Sequence, residues 1–173
     1  MMVSLDGYTE SKDPTEYWHN WDDEMANYMM DFFGTVDTFI YGRKSYQDMI
    51  AYWPTLNDDF GKIMNETPKL VFSKTLEKME WNAQLIKQDP VDFLSAMKSK
   101  GGKDMVLFAG PNLAAPLIKN NIIDEYRLIV NPVLLSGNKP LFPKMERPQQ
   151  LVLTQTTPFK CGNVLLIYSA LRN

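Results

Sequence analysis

The sequence predicts an α/β fold with a mixed sheet, on three observations. Between Val36 and Asn120, short apolar runs rich in β-branched and aromatic residues alternate with helical patterns, the order that builds parallel strands with crossover helices. From Tyr126 onward the helical patterns cease, so the C-terminal edge of the sheet is expected to be antiparallel. The chain has 173 residues, 45% of them hydrophobic, with no internal repeat and no low-complexity tract. That fits one domain spanning 1–173 with a core that needs no staples.

The elements follow in order. Tyr8 to Trp21 is polar and rich in turn formers, and carries Tyr8, Tyr17 and Trp18. It reads as a long loop, a type of segment that compact domains use for function. Asp22 to Phe33 is helical, with Met25, Tyr28, Met29 and Phe32 on one stripe, and Gly34 stops it. Val36–Tyr41 is a strand, followed by helices near 44–51 and 58–65. Lys69–Ser73 and Ala83–Lys87 are strands. Pro90 opens a helix that Gly101–Gly102 ends, and Met105–Ala109 is a buried strand. Gly110–Asn120 is helical, with Pro116 expected to delay or bend its hydrogen-bonded part. Tyr126–Leu135, Leu151–Thr156 and Val164–Leu171 are strands, the last two joined by a turn at Cys161–Gly162–Asn163.

Composition excludes several function classes. One cysteine and one histidine rule out a disulfide framework and a zinc site of several His and Cys. The net charge of -3 argues against nucleic acid as a partner, which needs a clustered basic face. No apolar run approaches the roughly 20 residues of a membrane span, and no signal peptide is evident. A cytoplasmic protein acting on a small molecule is the expectation.

Three strand ends carry the chemistry. The first is Gly42–Arg43–Lys44–Ser45 between a strand and a helix. A helix start carries partial positive charge, so two cations there are unfavourable unless an anion lies between. Ser45 with Asp48 also fits a capping box, with both cations trailing into solvent. The second is Ser73–Lys74, which lies beside the first if the strands are parallel neighbours. The third is Ala109–Gly110–Pro111–Asn112, again before a helix. Together they suit an elongated polyanion lying across the carboxyl edge of the sheet, where open α/β sheets bind ligands. The cluster of Arg43, Lys44 and Lys74 favours a 2′-phosphate, hence NADPH over NADH. Neither a P-loop nor a Gly-x-Gly-x-x-Gly motif is present.

The motifs Ser4–Leu5–Asp6–Gly7–Tyr8, Gly42–Arg43–Lys44–Ser45–Tyr46 and Val71–Phe72–Ser73–Lys74–Thr75–Leu76 occur in a familiar order. So do Ile123–Asp124–Glu125–Tyr126–Arg127–Leu128, Asn131–Pro132–Val133–Leu134–Leu135 and Gly137–Asn138–Lys139–Pro140–Leu141–Phe142. In this combination, over almost the whole chain, the sequence resembles bacterial dihydrofolate reductase-like proteins, which share a fold with the reductase domain of riboflavin biosynthesis. The resemblance implies a dihydrofolate reductase-like mixed sheet flanked by helices, often homodimeric, binding NADPH. It assigns Gly42–Ser45 and Ser73–Lys74 to the adenosine-phosphate half of the cofactor and Ala109–Asn112 to the pyrophosphate. Val3 to Asp6 falls beside the nicotinamide. Three departures stand out. Only Met1 to Val3 supply the first, central strand, so the expectation is either that the chain starts earlier or that this strand is cut short and the nicotinamide pocket compromised. Ala109–Gly110 replaces a usual Gly-Gly. Phe108 replaces a glutamate of the riboflavin reductases, which points away from riboflavin synthesis.

Hydride transfer to a C=N bond also needs a proton. Dihydrofolate reductases carry the acid early on the first long helix with an aromatic residue four positions later, and Glu24 with Tyr28 has that spacing. Asp6 is the other candidate, although in a Leu-Asp-Gly turn it is expected to bond its own backbone. Trp21, Tyr28 and Trp53 are candidates to stack on a flat substrate. His19 reads as a loop residue. The expected activity is NADPH-dependent reduction of a pteridine- or pyrimidine-like heterocycle. The alternative is a nucleotide-binding or structural dimer that keeps the fold without the reaction.

Overall fold

The computed structural model describes residues 1–13 and 15–171. The chain divides into two compact units, one from Asn27 to Pro116 and one combining Met1–Ala26 with the stretch from Leu117 onward.

The Asn27–Pro116 unit is built on strands β2 (Val36–Gly42), β3 (Lys69–Phe72), β4 (Ala83–Ile86) and β5 (Asp104–Phe108), in the spatial order β4-β3-β2-β5. Every neighbouring pair is parallel. The connections include α2 (Arg43–Tyr52), a 3₁₀ turn (Trp53–Thr55), α3 (Asp59–Glu66) and α4 (Pro90–Lys98), with α5 (Pro111–Lys119) following β5. All four residues of β3 are buried, the mark of a strand covered on both faces. Phe39, Tyr41 and Val71 pack with Phe33, Tyr46 and Met64 in one core cluster. Its rings meet edge-to-face at 5.3 Å for both Phe33–Phe39 and Phe39–Phe108, geometry that the ring quadrupoles favour.

In the other unit, β1 (Met2–Ser4), β6 (Glu125–Asn131), β7 (Leu151–Pro158) and β8 (Val164–Ala170) lie in the order β1-β6-β8-β7. Here β1 and β6 are parallel, while β8 is antiparallel to both its neighbours. The parallel and antiparallel parts read from the sequence are thus both present, each hydrogen-bonded as its own four-stranded set. Helix α1 (Asp23–Phe33) starts where the long loop ends.

Two boundaries differ from expectation. The strand expected to reach Leu135 stops at Asn131. Pro132 has no N–H to continue the ladder, and the Val133 N–H turns back to the Asn131 carbonyl at 2.8 Å. Helix α5 does not start late. Leu113 and Ala114 both donate to the Gly110 carbonyl at 3.2 Å, and Pro116 sits within the helix. No helix among the described residues is long and apolar enough to cross a membrane.

Candidate functional site

The strand order decides where the sequence-selected residues go. With β3, β2 and β5 side by side and parallel, their carboxyl ends open along one rim. Gly42 lies opposite Phe72, and Tyr41 opposite Phe108. The turns at 42–45, 73–74 and 109–112 therefore emerge next to one another.

Gly42 is the N-cap of α2, with φ -84, and no side chain caps the helix. The capping box anticipated from Ser45 and Asp48 does not form. The chain becomes helical at Arg43, with Gly42 at the N-cap, which puts Ser45 three residues past the position a capping serine must hold. Helices α3 and α4 in the same unit have caps: Asp58 accepts from the Gly61 N–H, and Asp89 from those of Val91 and Asp92. Helix α2 instead opens with exposed Arg43 and Lys44 and no acid in its first turn, the reverse of what its dipole favours.

Two glycines on the rim have no internal reason to be glycine. A Cβ at Gly42 would meet Leu113 at 3.8 Å, an ordinary contact, and one at Gly110 would meet nothing within 4 Å. Neither has a positive φ. What remains is room for something outside the chain to approach the backbone. Ala109, by contrast, is 1% exposed and belongs to the core. Pro111 is the first residue of α5, and Asn112 is exposed beside it.

Ser73 is buried, and its Oγ accepts from the Thr75 and Leu76 N–H groups at 3.2 and 3.1 Å. That turn leaves Lys74 exposed at the corner. Among the described residues no carboxylate pairs with Arg43 or Lys74. A further cation went unnoticed in the sequence: Lys87 follows β4, whose Ile86 lies opposite Phe72, and its Nζ donates to the Lys74 carbonyl at 3.4 Å. Strand order, not spacing, brings it to the rim.

The remaining site candidates sit differently. Val3 is buried in β1, opposite Val130. The Asp6 carboxylate accepts from Ser4 Oγ at 2.6 Å and from the N–H groups of Leu135 and Ser136 at 3.0 and 2.8 Å. Besides the bond to its own backbone that its turn predicts, it clamps a loop distant in sequence. The Ser4 bond and, after it, the two amides hold its pKa below the usual carboxylate value, opposite to the shift a general acid needs. Glu24 is exposed, and its Oε2 accepts from the Lys160 N–H at 3.2 Å. Asp22 caps α1 through Met25 N–H at 2.8 Å and also takes the Cys161 N–H at 2.7 Å. Tyr28 stacks on Phe32 one helical turn on, with centroids 6.3 Å apart. Trp53 packs on Phe60 at 5.1 Å and donates its Nε1–H to Met49 Sδ. Trp21 is 46% exposed.

With this geometry in view, the comparisons are decisive at the level of family. The RibD C-terminal domain model matches residues 1–166. The chain belongs to the RibD C-terminal domain family. A relative, the uncharacterized protein YyaP of Bacillus subtilis (strain 168), is 31% identical over 173 residues, covering 97% of this chain and 91% of YyaP. Among solved structures, a riboflavin biosynthesis protein from Shewanella sp. PV-4, so described by its crystallographers, superposes with a TM-score of 0.78 at 22% identity, covering 99% and 97% of the two chains. Dihydrofolate reductase from Enterococcus faecalis, complexed with NADP(H), superposes with a TM-score of 0.67 at 12% identity, covering 98% and 92%. The RibD C-terminal domain fold of this chain is therefore also dihydrofolate reductase-like, a reductase-type fold.

Chemically, the rim offers amide N–H groups at an uncapped helix start, two glycines that leave the backbone approachable, and the exposed cations Arg43 and Lys74, which no carboxylate pairs among the described residues. These features suit a phosphorylated anion.

Proposed function

We propose that this protein is an NADPH-dependent reductase that transfers hydride to a small heterocycle, pteridine- or pyrimidine-like. The observation that carries the reading is the alignment of three strand ends along one rim, with Arg43, Lys44 and Lys74 beside Gly42 and Gly110. When bound, NADPH supplies the hydride for a C=N carbon, while the nitrogen takes a proton. Arg43, Lys44 and Lys74 hold the 2′-phosphate by charge-assisted bonds, with Ser45 and Ser73 shaping the turns. Gly110, Pro111 and Asn112, at the start of α5, face the pyrophosphate. The dihydrofolate reductase neighbour complexed with NADP(H) supports this cofactor. A homodimer joined through the exposed β7 edge, with Val152 and Leu153 at 45% and 51% exposure, accompanies the reading.

One observation favours a second reading, a nucleotide binder without the reaction. Hydrogen bonds from the Ser4 hydroxyl and backbone amides hold the Asp6 pKa below the usual carboxylate value, opposite to what a proton donor needs, and Glu24 is engaged by the Lys160 N–H. Calorimetry with NADPH and NADH, followed by loss of reduced-nicotinamide absorbance with dihydrofolate or pterin as acceptor, separates the two. Tight NADPH binding with turnover supports the reductase. Binding without turnover over a panel of such acceptors supports the second reading. Equal, negligible heats for both cofactors retire both.

A further inference from the structure

The loop before α1 holds a group of aromatic rings that the cofactor rim does not use. Trp18 and His19 are stacked with centroids 3.9 Å apart and planes inclined by 28°. Tyr17 meets His19 edge-on at 5.6 Å. Both stacked rings are half-buried, and Tyr17 is 80% exposed.

The next residue, Asn20, is fixed from three sides. Its N–H donates to Asn131 Oδ1 at 3.0 Å. Its carbonyl accepts from Asn163 Nδ2 at 2.8 Å, and its own Nδ2 donates to the Cys161 carbonyl at 2.8 Å. Asn131 and Asn163 are both 0% exposed. Buried amides are costly unless fully bonded, and Asn163 Oδ1 has no partner. Two buried side chains, one of them incompletely satisfied, thus immobilise a single loop residue whose neighbours are partly exposed rings. A loop needing only to connect β1 to α1 has no use for that expense. A rigid aromatic surface does, because a flat ligand loses less on binding when the ring it stacks on is already ordered.

We infer that the Trp18–His19 stack is a preformed binding face for a flat heterocyclic ring, and that Asn131 and Asn163 are its positioning residues. The inference rests on the proposed reductase reading for its substrate class, but its geometry is independent of the cofactor rim. Stacking of a heterocyclic base on an aromatic side chain changes affinity by about tenfold to a hundredfold.

His19 is the only histidine, so its imidazole gives a single, unambiguous NMR signal. Pterin is titrated into the protein with that signal recorded, and NADPH binding is measured separately by calorimetry. The expected result is a saturable shift of the His19 signal and a tenfold or greater loss of pterin affinity in Trp18→Ala, with NADPH affinity held within twofold. Asn163→Ala should move the His19 signal and weaken pterin in the same ratio. Trp18→Ala lies on a partly exposed ring and keeps the test valid if Asn163→Ala does not fold. A silent His19 signal, no pterin binding, or unchanged pterin affinity in Trp18→Ala overturns the inference. Failure of NADPH to bind overturns the reductase reading instead, and leaves the pterin titration to decide the stack by itself.

Discussion

The two ends of the parallel sheet in the Asn27–Pro116 unit both carry lysines, and treat them oppositely. At the amino end, Lys69 is 1% exposed. Its Nζ donates to the carbonyls of Asn65 and Thr67 at the end of α3 and lies 4.3 Å from the Trp81 ring centroid. Asn65 Oδ1 accepts from Trp81 Nε1 at 2.7 Å, and Asn82 Nδ2 donates to the Glu66 carbonyl at 2.8 Å. This network holds Trp81 and Asn82 at φ 60 and 50, a region asparagine adopts readily but one that is strained for a bulky tryptophan. At the carboxyl end, Arg43 and Lys74 are exposed and α2 is uncapped. A cation closed in by carbonyls and a ring serves the fold. Cations gathered at an uncapped helix start, beside glycines the fold does not need, are the ones we propose to serve a ligand.

The largest effect should come from breaking the open end. Arg43→Ala with Lys74→Ala should cost about 3 kcal/mol of NADPH binding, roughly a hundredfold, because each charge-assisted bond contributes about 1.5 kcal/mol or more. NADH, without the extra phosphate, should change only a few-fold, and thermal stability should hold. Equal losses for both cofactors in calorimetry would show that these residues do not read the phosphate.

Lys69→Ala should do the opposite. It leaves two carbonyls unpaired and a cavity behind, costing about 2–3 kcal/mol of stability in urea unfolding, with NADPH affinity unchanged for the folded fraction. A selective loss of NADPH binding would erase the distinction between the two ends.

A pH series sharpens the same contrast. Burial lowers the Lys69 pKa from 10.5 to about 8. Above pH 8 the unfolded chain therefore holds the extra proton, so stability attributable to this group rises with pH toward 10.5. Burial also raises the Tyr41 phenol pKa. That group lowers stability above pH 10, where the unfolded tyrosine ionises first, so the useful window is pH 8–10. Unfolding free energies of the native chain should climb there by up to about 2–3 kcal/mol relative to Lys69→Ala. Parallel curves would mean that Lys69 is not the buried cation described.

How much of this was legible in the sequence depended on the range of each interaction. The strand ends at Gly42, Ser73 and Ala109 could be read because each is local, signalled by an apolar run and a turn residue; a helix follows the first and third, whereas Ser73 leads through a turn to β4. The capping-box reading of Ser45 failed because Ser-x-x-Asp is equally at home inside a first turn, and only the backbone shows where the helix begins. The bond of Asp6 to its own backbone is local and legible, but its further partners Leu135 and Ser136 lie 129 and 130 residues away, beyond any local pattern. Lys87 and Lys69 were invisible as site and core residues because strand order and two-sided burial are not written in any local pattern. The buried asparagines around Asn20, Asn131 and Asn163, also come from two segments distant in sequence.

The smallest expected effect on the fold concerns the two glycines. Gly42→Ala and Gly110→Ala should change stability by less than about 1 kcal/mol, since the added methyl meets Leu113 at an ordinary 3.8 Å or open space. Both should weaken NADPH at least tenfold by blocking the close approach. Unchanged affinity would leave these glycines unexplained.

The most direct test is an amide NMR titration with NADP⁺. The account predicts that the N–H signals of Gly42 to Ser45, Ser73 to Lys74, Gly110 and Asn112 move together with one saturation constant, while the Trp81 indole N–H beside Lys69 stays still. Shifts confined to other residues, or different saturation constants for the three turns, would contradict a single ligand held along the rim.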